Sequence, residues 1–287
     1  MKKISYFFLL LFLISCKSKI TYIITSECFN DFSEHELAKA VEKENINEIK
    51  KICGEHPEIV DKTYNVHGYT VLHWAVETGK YKSVKALLEA GMNPNADRGN
   101  GETPLDSTFI SGAVFPPLIL TDMIPLLIKY GADCNLKKQK YFDKTGITPF
   151  MNAIILDRLD IAKTMIQYSK IDVDLKTDSP HFITATDYAL FRNNIDCAHF
   201  LICECKANIE EPFYISEFSL EKPIYPVSLL RRMVYPLNSE QYKLKLEIIE
   251  EFKKHGIDYY AEEIPNDIFE IIKIYYPDTW EEYVKVY

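Results

Sequence analysis

The sequence of 287 residues predicts an all-α protein, a solenoid of about six helix-turn-helix units closed by a C-terminal helical cap. Three observations predict it. A Thr ahead of a short apolar run recurs along the chain, in "GYTVLHWAVETGKYKSVKALLEAGMNPN" from Gly68, "GETPLD" from Gly101, "GITPFMNAIILDRLDIAKTMI" from Gly146 and "ITATDYALFRNNIDCAHFLI" from Ile183. Glycine is scarce, at 10 residues, which suits helices better than a sandwich of short strands. Hydrophobic residues make up 47% of the chain, enough to bury a sizeable core.

Thr70 and Thr103 are 33 residues apart, Thr103 and Thr148 are 45, and Thr148 and Thr184 are 36, so the later units carry insertions. Each of these Thr precedes a helical pattern whose free N–H groups its hydroxyl can cap. Pro104 and Pro149 follow one position later, where a missing N–H costs nothing. Ala75, Ala153 and Ala189 let paired helices approach closely, and Gly91 and Gly131 end second helices where a left-handed residue is expected. A helix pair of this size cannot bury its apolar face alone, so neighbours must stack.

Two fainter units flank these four. Leu37, Ala40, Ile46, Ile49 and Ile52 keep the spacing over residues 33–61. "KPIYPV" from Lys222 and "EIIEEFKKHGID" from Glu247 supply a sixth helix pair with about 13 extra residues between them. The repeats thus run over 33–260, and residues 261–287, with the amphipathic "IPNDIFEIIKIYYPDTWEEYVKVY", form the cap.

With its period near 33 and Thr70-Val71-Leu72-His73-Trp74-Ala75, followed by Gly79, Val84, Leu87-Leu88 and Gly91, the sequence resembles the ankyrin repeat and its T-P-L-H-x-A signature. The third unit departs from it, with Thr108 in the place of the signature Ala and "SGAVFPP" as an insertion. The resemblance implies that His73 makes structural hydrogen bonds between repeats. It also implies a protein-binding concave face built from turn tips and the exposed edges of first helices. Carried over by position, that face comprises Val66, His67, Tyr69, Glu77 and Thr78, then Gly99, Asn100 and Glu102. It continues through Lys144, Thr145, Ile147, Ile155 and Leu156 to His181, Ile183, Phe191 and Arg192. Ile147, Ile155, Leu156, Ile183 and Phe191 make an apolar run, and contiguous exposed apolar area marks interaction sites. The alternative is that the insertion at 110–117 or the cap folds over them.

The N-terminus carries an address. Lys2 and Lys3 precede an apolar run from Ile4 to Ile14, which is too short to span a bilayer and has the form of a secretory signal. Leu13-Ile14-Ser15-Cys16 resembles the lipobox of bacterial lipoproteins. That resemblance implies diacylglyceryl attachment to Cys16, removal of residues 1–15 as a leader, and a tether over 16–32. The implied location is the bacterial cell envelope, lipid-anchored on the periplasmic or surface side, or secretion if Cys16 falls there by chance.

The formal charge of −9 becomes −11 once Lys2 and Lys3 leave with the leader. An acidic chain argues against nucleic acid as a partner, since phosphate binding needs clustered Lys and Arg, and Lys137-Lys138-Gln139-Lys140 is short enough to be a solvated turn. No Gly-rich phosphate loop, H-E-x-x-H or G-x-S-x-G occurs. In "CAHFLICEC", His199 and Cys203 are four apart and would share a helix face, but two ligands fall short of the four a structural zinc site wants. Cys197 falls at a core position, His199 and Cys203 on the solvent side, and Cys205 near the turn where Gly is usual. The expectation is a binding protein with no catalytic residue, cofactor or metal, whose partner is another protein. The alternatives are a structural envelope lipoprotein or an enzyme whose site lies in the divergent C-terminal region.

Overall fold

The computed structural model describes residues 32–60, 62, 70–99, 101–110, 117–137, 146–178, 183–212 and 223–287. Cys16, Cys28 and the rest of the leader and tether lie outside them. The described residues hold fourteen α-helices in two compact units, divided after Asn93.

The first unit contains α1 (Phe32–Glu42), α2 (Ile46–Glu55), α3 (Val71–Glu77) and α4 (Tyr81–Glu89). Leu37, Val41, Ile49, Leu72, Val84 and Leu87 are buried as its core. The Thr70 hydroxyl accepts from His73 N at 3.2 Å, and Thr70 N donates back to His73 Nδ1 at 3.3 Å, a reciprocal cap that satisfies two helix-end groups. His73 therefore braces its own repeat. The second pair is tied to the first by Ser83 Oγ donating to Val41 O at 2.9 Å and by Lys82 N donating to Glu44 Oε1 at 3.1 Å.

The second unit contains α5 (Pro104–Ile110), α6 (Pro117–Lys129), α7 (Pro149–Ile155), α8 (Leu159–Tyr168), α9 (Ala185–Phe191) and α10 (Ile195–His199). It continues with α11 (Pro226–Leu230), α12 (Glu240–Lys254), α13 (Asn266–Tyr275) and α14 (Trp280–Val286). Thr148 caps α7 through Met151 N at 3.1 Å, and Thr184 and Asp187 close a reciprocal box at the start of α9. Burial pushes the Asp187 carboxyl up to about 6. Side-chain oxygens of Asn and Asp stitch the repeat bases together. Asn95 Oδ1 accepts from Asp133 N at 2.8 Å, Asn135 Oδ1 accepts from Asp172 N at 3.0 Å, and Asp174 Oδ1 accepts from Asn208 N at 2.7 Å. Each link gives a loop N–H a partner in the neighbouring repeat.

The fifth repeat departs from the expected helix ending. Gly91 stands 21 residues after Thr70, whereas Lys206 stands 22 after Thr184. The extra residue is absorbed by a wide turn over Phe200–Glu204, with Cys205 N donating to Phe200 O at 2.9 Å. The left-handed residue is then Lys206 (φ 60°), not Cys205. His199 and Cys203 are not on a solvent face either, because α12 packs there and leaves both half-buried.

The cap has its own core of Ile268, Ile272, Tyr283 and Tyr287. Beside it sit two buried basic side chains. Lys245 is fully buried, its Nζ donating to Met233 O at 2.8 Å and lying 3.7 Å from the Tyr287 ring centroid. Arg231 stacks between Tyr259 and Tyr287, at 4.6 and 5.0 Å, and donates to the Glu262 and Tyr287 carbonyl oxygens. Loss of hydration, with the like charge of Arg231, pushes the Lys245 ammonium from 10.5 down to about 6. Between those two values the unfolded chain holds a proton that the folded chain lacks, so stability rises with pH there. Asp187, raised to about 6, changes stability only below that value, and Cys53, Cys134, Cys197, Cys203 and Cys205, all pushed upward by burial, offset part of the rise as pH approaches the ordinary thiol range of about 8.5–9. One proton sets a ceiling of about 1.4 kcal/mol per pH unit, and the ring contacts retain part of the charge. Unfolding by urea should therefore show about 1 kcal/mol more stability at about pH 8.5 than at about pH 6.5. Lys245→Met should flatten that slope; an unchanged slope in the variant assigns the effect elsewhere.

Candidate functional site

The expected contact residues fall in three groups. Val66, His67, Tyr69, Asn100, Lys144, Thr145 and His181 lie outside the described residues. Glu77 and Thr78 end α3 in the first unit, and the Thr78 hydroxyl is engaged by its own helix, donating to Trp74 O at 2.7 Å. The remainder belong to the second unit. Glu102 is half-buried in an ion pair with Arg98 at 2.8 Å.

The expected run of exposed apolar side chains is shorter than its five members. Ile147, Ile155 and Ile183 are half-buried. Ile183 is held by a backbone pairing, its N donating to Thr177 Oγ1 and its carbonyl accepting from Thr177 N, each at 3.0 Å. Leu156 and Phe191 remain open, at 51% and 56% exposure. Both stand at the C-terminal ends of first helices, α7 and α9, as does exposed Arg192.

A groove of about 430 Å³ lies beside them. Ile154, Ile155 and Ile195 supply its apolar side, and Asp157, Arg192, Asp196 and Tyr235 its polar side. Asp157 and Asn193 hold equivalent turn positions at φ 56°, a conformation that Asn and Asp tolerate better than most residues. Asn194 Nδ2 donates to Asp157 Oδ1 at 2.7 Å, tying the two turns together. Tyr235 reaches in from the segment between α11 and α12, its hydroxyl donating to Asn193 Oδ1 at 2.9 Å. Its backbone is fixed from the cap, where the Tyr283 hydroxyl donates to Tyr235 O at 2.7 Å.

Sequence reasoning missed Asp157, Asn193, Asp196 and Tyr235. "LDRLD" and "FRNNID" do carry polar residues in register after α7 and α9, which is the signal for the turns. Tyr235 arrives through long-range packing and leaves no local signal.

His199 and Cys203 do not gather metal ligands. His199 Nε2 meets Glu247 Oε2 at 2.6 Å, and among the described residues no group of three His, Cys, Asp or Glu is placed to hold a metal ion. The five described cysteines are free thiols. No described helix is long and apolar enough to cross a membrane. The groove, part apolar and part acidic and bordered by two open apolar side chains, is suited to holding side chains of another protein.

These features define a stacked helical repeat protein with an open surface at its first-helix ends. The family description "Ankyrin repeats (3 copies)" matches residues 13–98, 35–138 and 119–212, and the chain belongs to the ankyrin repeat family. Among curated proteins it is similar to the E3 ubiquitin-protein ligase KEG of Arabidopsis thaliana, 26% identical over 39% of this chain and 6% of the relative. It is similar to palmitoyltransferase ZDHHC13 of Mus musculus, 50% identical over 17% of this chain and 7% of the relative. It is also similar to ankyrin repeat-containing protein P1E11.10 of Schizosaccharomyces pombe, 28% identical over 36% of this chain and 43% of the relative. The chain spans less than half the length of each.

Proposed function

We propose that this protein is a binding scaffold that holds another protein against the first-helix ends of its second unit. We further propose that lipid at Cys16 tethers it on the extracytoplasmic side of a bacterial membrane. The observation that carries the binding reading is the open pair Leu156 and Phe191, whose chain neighbours Ile155 and Arg192 line the groove. The pair is apolar, sits on short rigid helices and is not covered by the cap. The family supports the same reading, since ankyrin stacks present such surfaces to partners. A crosslinking pull-down from the native membrane fraction tests it. A partner recovered with the natural chain and lost with Leu156→Asp supports the proposal; equal recovery from both removes this surface.

The tether rests on Leu13-Ile14-Ser15-Cys16 behind the apolar run. More than one acyl chain on a residue anchors firmly, where a single chain binds only marginally. Cys16→Ala should abolish labelling by a fatty-acid probe and leave an uncleaved precursor. A variant that still labels as the natural chain does rejects the lipoprotein reading.

A further inference from the structure

The groove beside Leu156 and Phe191 carries more information about its occupant than an apolar patch alone. Its apolar side is aliphatic, presented by half-buried Ile155 over the buried Ile154 and Ile195. Its acidic groups differ in how they are used. One oxygen of Asp157 accepts from Asn194, while Asp196 is exposed and, among the described residues, no hydrogen bond or ion pair engages its carboxylate. Arg192 is the one cation in the lining, and among the described residues no ion pair joins it to either carboxylate. A volume of about 430 Å³ admits one or two long side chains rather than a folded element.

Aliphatic side beside acidic rim is the complement of a long basic side chain, whose methylene stem lies on apolar surface while its charged head reaches out to a carboxylate. Building on the scaffold reading above, we propose that the partner presents an exposed basic–apolar segment. Its lysine or arginine occupies the groove between Ile155 and Tyr235 with the charged head at Asp196 and Asp157. An adjacent apolar residue of the same segment covers Phe191 and Leu156. The acidic formal charge of the whole chain, −9, draws a basic segment toward this face, and the groove selects its register.

The experiment uses fluorescence anisotropy with the full mature chain at physiological salt. The probe is a labelled peptide of Lys, Leu and Ser, compared with a twin in which every Lys is Glu. The Lys peptide should bind at least about fivefold tighter, and the double variant Asp157→Asn/Asp196→Asn should lose that preference. Glu281→Gln/Glu282→Gln, with the same change of net charge on the exposed face of α14, should retain it. Equal binding of the two peptides overturns the proposal, as does an equal loss in the α14 variant, which would mean attraction to net charge alone. The double variant must melt as the natural chain does; if it does not, Asp196→Asn alone is read in its place. Loss of partner recovery with Leu156→Asp but no preference for the Lys peptide would leave the scaffold standing and remove only the basic occupant. A Lys preference without any partner lost to Leu156→Asp would remove the scaffold reading and the proposal with it.

Discussion

Gly146→Ala should cost about 3 kcal/mol of unfolding free energy, several times more than Gly131→Ala in the same unit. Both glycines have positive φ, 63° and 96°, so both substitutions incur the strain of a left-handed residue, about 1 kcal/mol. Gly131 faces open space, with nothing within 4 Å of an added Cβ. At Gly146 the added carbon would meet Asp178 at 2.6 Å from Oδ2 and 2.7 Å from the backbone N. The carboxylate can swing clear at the small cost of loosening its exposed pair with Lys137, but the backbone N belongs to the next repeat's loop and cannot. The added carbon therefore pushes adjacent repeats apart, an overpacking of about 2 kcal/mol above the strain. Urea unfolding of the two variants beside the natural chain measures it. Equal costs would show that the Asp178 loop yields and that repeat spacing is soft at this point.

How far the sequence foretells this molecule depends on the range of the interaction. Thr70, Thr148 and Thr184 act as caps because a hydroxyl needs only an N–H three residues away, and Gly91 and Gly131 take left-handed turns for an equally local reason. The wide turn at Phe200–Glu204 was present as one extra residue between Thr184 and Lys206, but that count does not say whether the helix widens or the loop lengthens. The site was less legible than the fold. Repeat position marks the ends of first helices as surface, yet Ile147, Ile155 and Ile183 are half-buried, and Tyr235 reaches the groove beside Ile155 from far along the chain. Likewise His199 and Cys203 look solvent-facing until α12, some forty residues downstream, packs over them.

Phe191→Asp should leave stability nearly unchanged and weaken partner binding by about 2 kcal/mol or more, roughly thirtyfold. Phe191 is the last residue of α9 and more than half exposed, so an Asp there meets water, and exposed substitutions usually stay within about ±0.5 kcal/mol. Against a partner the same change exchanges the burial of an aromatic ring for the desolvation of a carboxylate, which is how interface anchors acquire large effects. Ile155 occupies the equivalent place on α7 but is half-buried beside Asp157, so Ile155→Asp adds a second charge next to a carboxylate and removes apolar burial. It should cost stability of about 1–2 kcal/mol as well as binding, and the pair of variants separates the two roles. Thermal melting beside a quantitative pull-down measures both. A large drop in melting temperature for Phe191→Asp would place that ring in a covered core. Unchanged melting with unchanged recovery would move the contact surface away from the first-helix ends, toward the turn tips around Tyr69 and Asn100.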